Sequence, residues 1–330
     1  VKATSTIMLD TNLWSSIGDD CASSDFDALV RSRSLQVMVA PSTLMEVARH
    51  PVPQVRQRII SALARYPRGR LSTEAEVESA EVVAEIRRLR PQWMRTMPDT
   101  AKAASLHTFW TRRIWRAAVQ DAQRIHDHEA AQKPIFDAAV ALQKKNRSLL
   151  LQGNLSMRPL TALLASGSAE VAARCAQGWN GDPIEAWRLD SRMVFWQQLV
   201  EVVSRAPFTA EDTTFADWVG AYVDLAAVRS DPIDFTRFWF EEVALAAVPR
   251  QWIRWAVDTV QTDRKVTGGN PADQQHSSYL LDCDVFLSAD AAFVAVLQAV
   301  REDAPFSLAE PRLVRGDRTI PIMERLRAVL

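Results

Sequence analysis

The stretch Ile7-Met8-Leu9-Asp10-Thr11-Asn12 is an apolar run that stops on an acid. A short buried strand ending in a carboxylate sets that acid at the carboxyl edge of a sheet, where open α/β folds bind ligands. One such acid proves little, because Asp also serves as a turn residue and a helix N-cap. What joins Asp10 at that edge therefore decides the reading of the chain.

Moving outward, Asp25-Phe26-Asp27-Ala28-Leu29-Val30 reads as helix, and Leu35 to Ala40 as a second β-rich run stopped by Pro41. Ser42 or Thr43 is expected to cap the next helix, which carries Glu46 in its first turns, just past the end of the second strand. Far along the chain the same texture returns. Asp273 to Leu281 reads as a helix, Cys283 to Ser288 as a buried strand, and Asp290 follows at once, before a helix from Ala291 to Val300. Asp10, Glu46, Asp273 and Asp290 are thus expected at comparable places.

Between these parts the pattern is helical, and ten of the eleven Trp lie there, Trp14 being the exception. Candidate helices run over Thr100 to Ala131, Pro134 to Leu151, Pro183 to Ser204, Thr209 to Arg229 and Asp231 to Val260, the last broken near Pro249, with a further break at Ala206-Pro207 and a polar loop from Thr262 to Pro271. The expected organisation is an α/β domain in two parts, 1–90 and 261–330, interrupted by an all-α insertion at 91–260.

With 48% hydrophobic and 24% charged residues in 330, the composition is that of a globular protein with a sizeable core. No run is long and apolar enough for a membrane span, and the beginning of the chain lacks a signal-peptide layout, so a cytoplasmic protein with no membrane partner is expected. Cys21, Cys175 and Cys283 form no CxxC pair, which supports neither a disulfide framework nor a zinc site. The net charge of −1 hides an asymmetry: Arg49 to Arg158 holds 20 Lys and Arg against 10 Asp and Glu, and the remainder 19 against 30. Such a split suggests a basic face for phosphates, or two halves that pair with each other.

Four carboxylates with no basic partner in their local motifs repel one another unless divalent cations neutralise them, and hard oxygen donors favour Mg²⁺ or Mn²⁺. Two ions roughly 3.5–4 Å apart suit phosphodiester hydrolysis. His276 falls one turn after Asp273, beside the metals or as a buried structural histidine. Arg87, Arg88, Arg90 and Arg95 around Trp93, and Arg112, Arg113 and Arg116 around Trp110 and Trp115, are candidates to hold RNA, with arginines on phosphates and aromatics on bases. The competing reading puts Trp110, Ile114 and Trp115 in the core.

The Ile7–Asn12 segment, Pro41-Ser42-Thr43-Leu44-Met45-Glu46-Val47, and Asp273-x-x-His276 leading to Asp284–Phe293 resemble the PIN-domain nucleases. The resemblance implies a three-layer PIN-like α/β domain around a central, mostly parallel sheet. It also implies metal ligands at Asp10, Glu46, Asp273 and Asp290 that double as the catalytic set, with Asn12 and Ser288 as polar neighbours. It extends to a metal-dependent endoribonuclease acting on tRNA or other RNA, and to a toxin-type role with a protein inhibitor. Asp282 and Asp284 compete with Asp290 as ligands, but Asp284 starts the strand, at the opposite sheet edge. A haloacid-dehalogenase-like phosphatase needs an acid where Asn12 stands, and Trp14 to Gly18 supplies no Gly-rich nucleotide loop. The rival class is a catalytically inactive module that binds RNA or protein. Oligomeric state stays open.

Overall fold

The computed structural model describes residues 5–153, 159–201, 213–264, 270–315 and 319–330. Strand β1 (Ser5–Leu9) lies between β2 (Leu35–Met38) and β3 (Val285–Ser288), and β4 (Glu310–Leu313) sits beyond β3. Every pairing in this sheet is parallel. Parallel strands covered on both faces have continuous apolar sequences, and Ile7, Met8, Leu9, Phe286 and Leu287 are all at most 1% exposed. The edge strand β4 has no such signal. Pro311 interrupts its sequence, as an edge strand tolerates.

The chain divides into two compact units, one of residues 1–73, 110–155 and 257–330, the other of 74–109 and 156–256. The first carries the sheet with α1 (Thr11–Asp19), α2 (Ser23–Ser32), α3 (Pro41–Ala48), α4 (Pro53–Leu63), α5 (Ile114–Gln120), α6 (Ala122–Ala131), α7 (Lys133–Gly153), α8 (Asn270–Ser277), α9 (Ala291–Asp303) and α10 (Ile322–Val329). The expected insertion at 91–260 is therefore misplaced at its start and interrupted in its middle. Helices α5 and α6 pack on α3 and α4, burying Ile114, Trp115, Ala118 and Ile125. Arg49 pairs with Glu129 at 2.8 Å, and His126 Nδ1 lies 2.8 Å from the carbonyl of Ala48. These contacts tie residues 110–155 to the sheet unit.

The second unit packs the helix Glu74–Leu89 on the helix Phe215–Gly220. Its core is aromatic: Phe195 meets Phe215 at 4.4 Å and Trp239 at 4.7 Å between ring centroids. It is not purely helical, since Leu164–Ala165 and Ile184–Glu185 form a short antiparallel ribbon. The long candidate helix from Thr100 to Ala131 is broken by a π-helical turn at Phe109–Arg113 and again at Asp121, the side chain of which caps α6. The stretch Asp231 to Val260 is broken before Pro249, as expected, into helices Pro232–Arg237 and Pro249–Asp263 with π and 3₁₀ turns between them. The expected break at 206–207, the start of the 209–229 helix and the loop at 265–269 lie outside the described residues. No helix among the described residues is long and apolar enough to cross a membrane.

Candidate metal centre

The sheet register builds the site. Leu9 pairs with Leu287, and the Asp10 amide donates to the Leu287 carbonyl at 2.8 Å, so Asp10 and Ser288 come together at the ends of adjacent strands. Asp10 caps α1: one carboxylate oxygen accepts the Thr11 amide at 2.7 Å, while the other accepts the Asn12 side-chain amide at 2.6 Å and the Ser288 hydroxyl. Asn12 also donates to Ser288 Oγ at 3.1 Å and accepts the Ala289 amide at 3.0 Å, stitching β1 to β3. Both expected polar neighbours of Asp10 thus touch the site.

Helix α3 begins at Pro41, with Ala40 rather than Ser42 or Thr43 at the N-cap position. Ser42 is instead buried inside the helix, and its hydroxyl lies 3.2 Å from His276 Nδ1. One turn on, Glu46 Oε2 accepts from Thr11 Oγ1 at 2.6 Å and lies 2.7 Å from His276 Nε2. Ligand atoms of Asp10, Glu46 and His276 all fall within 4.8 Å of one another. Asp273 stands one turn before His276 on α8, where Gln261 Nε2 donates to it at 3.2 Å. Asp290 caps α9 through one oxygen, which accepts the amides of Ala292 and Phe293 at 2.7 and 3.0 Å, and it is exposed. Asp284 is at the far end of β3, its carboxylate bonded to the Thr6 amide at 2.7 Å, and Asp282 precedes it in the same turn.

The acids feel one another. Burial first, then repulsion from Asp10, Asp290 and Glu46, pushes Asp273 up to about 8 against the opposing charge of His276. Burial also raises Asp10, opposed by His276 and the Ser288 hydrogen bond, with Glu46 adding repulsion. Glu46 goes the other way. Burial acts to raise it, but the hydrogen bond and charge of His276, the Thr11 hydroxyl and Arg49 together hold it below the ordinary range. His276 is disfavoured as a cation by burial, yet Glu46, Asp10 and Asp273 raise it overall.

This donor set fits a hard divalent cation. Asp10, Glu46 and His276 bring ligand atoms within 4.8 Å of one another, Asp273 feels the charges of Asp10, His276, Asp290 and Glu46, and Gln261 Oε1, on a residue 4% exposed, has no hydrogen-bond partner among the described residues. Thr11, Ser42 and Gln261 escaped the sequence reading. The spacing of Ser42 and Glu46, four residues apart on one helix face, is the signal that could have found Ser42.

The arginines fare differently. Arg90 is buried and all five of its N–H donors are engaged: with Asp234, with Glu242 and with the Leu89 carbonyl, at 2.7–2.8 Å. It has nothing left for a phosphate and leaves the set of RNA contacts. Arg88 pairs with Glu85 at 2.7 Å, Arg95 reaches the Val223 carbonyl at 3.3 Å and Arg87 is exposed, all in the second unit. Arg112, Arg113 and Arg116 are exposed in the sheet unit. The basic stretch is thus divided between the units. Trp93, Trp110 and Trp115 are at most 7% exposed and Ile114 fully buried, so these aromatics are core and not stacking platforms.

No family model, curated protein or solved structure matches the chain.

Proposed function

We propose that this chain is a metal-dependent endoribonuclease of the PIN type, with Asp10, Glu46, Asp273 and Asp290 as the residues that hold Mg²⁺ or Mn²⁺. The observation that carries this reading is the meeting of Asp10, Glu46 and His276 at the carboxyl edge of the sheet, with ligand atoms within 4.8 Å of one another. Asp273 stands one turn before His276, and burial together with repulsion from Asp10, Asp290 and Glu46 pushes its carboxyl up to about 8, the kind of perturbation that clusters at functional sites. Bound there, the ion would supply an activated water and charge stabilisation for attack on an RNA phosphodiester. The protein's own part is positioning. Asn12 and Ser288 fix one oxygen of Asp10, and Thr11 fixes one oxygen of Glu46. Exposed Arg112, Arg113 and Arg116 are the candidates for phosphate contacts. RNA rather than DNA, a toxin-type role and a protein inhibitor rest on the PIN resemblance.

Cleavage of a labelled RNA pool with Mg²⁺, with Mn²⁺ and with EDTA tests the proposal, with Asp10→Ala alongside. Metal-dependent cleavage lost in the variant supports it, and equal cleavage by the variant removes the mechanism. A second reading, an inactive PIN-like module that binds RNA or protein, draws on the His276 contact, which already occupies one oxygen of Glu46. A folded protein that takes up no Mn²⁺ would favour that reading.

A further inference from the structure

We propose that Ser42 and His276 form a relay that positions Glu46 for the cation. The inference rests on the metal reading above and adds to it a role for two residues that do not themselves hold the ion. Ser42 and Glu46 lie four residues apart on α3, on the same face of the helix. The imidazole of His276, delivered from α8, spans that turn, with Nδ1 at 3.2 Å from Ser42 Oγ and Nε2 at 2.7 Å from Glu46 Oε2.

The chemistry fixes the direction of the bond to Glu46. Ionised Glu46 only accepts, so Nε2 carries the proton and donates. Nδ1 meets the Ser42 hydroxyl, which accepts from a charged ring and donates to a neutral one. A ring nitrogen that donates to a carboxylate has no lone pair for a metal, so His276 acts through Glu46 and is a positioning residue.

The relay's effect is on one oxygen. Thr11 Oγ1 and His276 Nε2 converge on Oε2 of Glu46, and among the described residues Oε1 accepts no hydrogen bond. Two donors on one oxygen hold the carboxylate in a single orientation and leave the other oxygen for a cation. They also offset the repulsion between Glu46 and Asp10. His276 is 1% exposed, so solvent reaches this bond only from the Glu46 side.

The test measures Mn²⁺ affinity of the full chain by titration, for the wild type and for His276→Ala, His276→Gln and Ser42→Ala. Removing a partner that orients a ligand costs about 10–100-fold in metal affinity. His276→Ala is expected to weaken Mn²⁺ by that factor. His276→Gln, whose amide N–H takes the place of Nε2–H, is expected to recover most of it. Ser42→Ala keeps the imidazole and is expected to lose a few-fold, and it decides the matter if His276→Ala fails to fold. Melting in EDTA separates the relay from a merely structural histidine, which would shift stability and leave affinity in the folded fraction unchanged. Pulsed EPR of bound Mn²⁺ is expected to show no directly coordinated nitrogen. Wild-type affinity in both His276→Ala and Ser42→Ala, or a nitrogen coupled directly to Mn²⁺, overturns the relay while leaving the metal site standing. A wild-type protein that binds no Mn²⁺ overturns the metal reading, and the relay falls with it.

Discussion

At Arg90 in the second unit, two carboxylates, Asp234 and Glu242, meet one guanidinium that gives each of them hydrogen bonds of 2.7–2.8 Å. At the end of β1, Asp10, Glu46, Asp273 and Asp290 act on one another with His276 as their main counter-charge, and Arg49, already paired with Glu129, as a weaker influence on Glu46. The first arrangement holds Glu242 below the ordinary carboxylate range, chiefly through the Arg90 hydrogen bonds, so ionisation favours the fold. The second raises Asp10 and Asp273, so ionisation works against it. Charges that stabilise a structure come with partners. Carboxylates raised by burial and by one another, at a sheet edge suited to ligands, mark a candidate functional site.

That contrast is open to attack from both sides. The largest expected effect is on activity: Asp10→Ala should reduce metal-dependent RNA cleavage by at least about 100-fold, as expected when a shared ligand of a catalytic ion is removed, measured as initial rates at saturating Mn²⁺. Next, ligands must shed protons before they bind a cation. Asp273 holds its proton up to about 8, so Mn²⁺ affinity should rise by up to about tenfold per pH unit between pH 6 and 8 and flatten above. A flat titration over that range would mean Asp273 is not a ligand.

On the paired side, Arg90→Ala should destabilise the protein by about 3 kcal/mol, because it leaves two carboxylates facing each other without their partner. Denaturant unfolding followed by tryptophan fluorescence would report it, and Mn²⁺ affinity of the folded protein should not change. Asp273→Asn should do the reverse. An acid raised by folding gives its full stability below its unfolded value of 3.8 and loses it as the pH climbs through about 8. In EDTA the variant should therefore melt a few degrees higher than the wild type at pH 8.5 and nearly level with it at pH 4. Equal melting at both pH values would show that the site's acids are not strained. The smallest effect is expected at the surface. Arg112→Glu with Arg113→Glu should lower the slope of log affinity against log salt for single-stranded RNA by about 1–2. An unchanged slope would take the phosphate contacts elsewhere.

How far the sequence was legible follows the range of the forces involved. Ile7-Met8-Leu9-Asp10 and Cys283 to Ser288 announce themselves as buried parallel strands, because burial on both faces demands an unbroken apolar run, and the acids that follow them are set by the strand's end. Glu46 and Asp273 came from the same local logic. Edge strand β4 did not, because with Pro311 inside it and one side unpaired it needs no apolar run. Ser42 looked like a cap from its position after Pro41, yet the helix starts earlier and its hydroxyl reaches a histidine 234 residues away. Arg90 stood in a basic run like its neighbours, and nothing near it in sequence foretold two acids 144 and 152 residues on.

By itself, then, the sequence determined the inner strands, the helices next to them and the acids at their ends, all of which depend on neighbours within a turn or a strand. The tertiary structure alone decided which polar groups are paired. It put residues 110–155 with the sheet, engaged every donor of Arg90, and brought Ser42, His276 and Glu46 into one line. Hydrogen bonds and ion pairs act over about 3 Å in space whatever the separation along the chain, so only the folded chain shows which charges have partners and which do not.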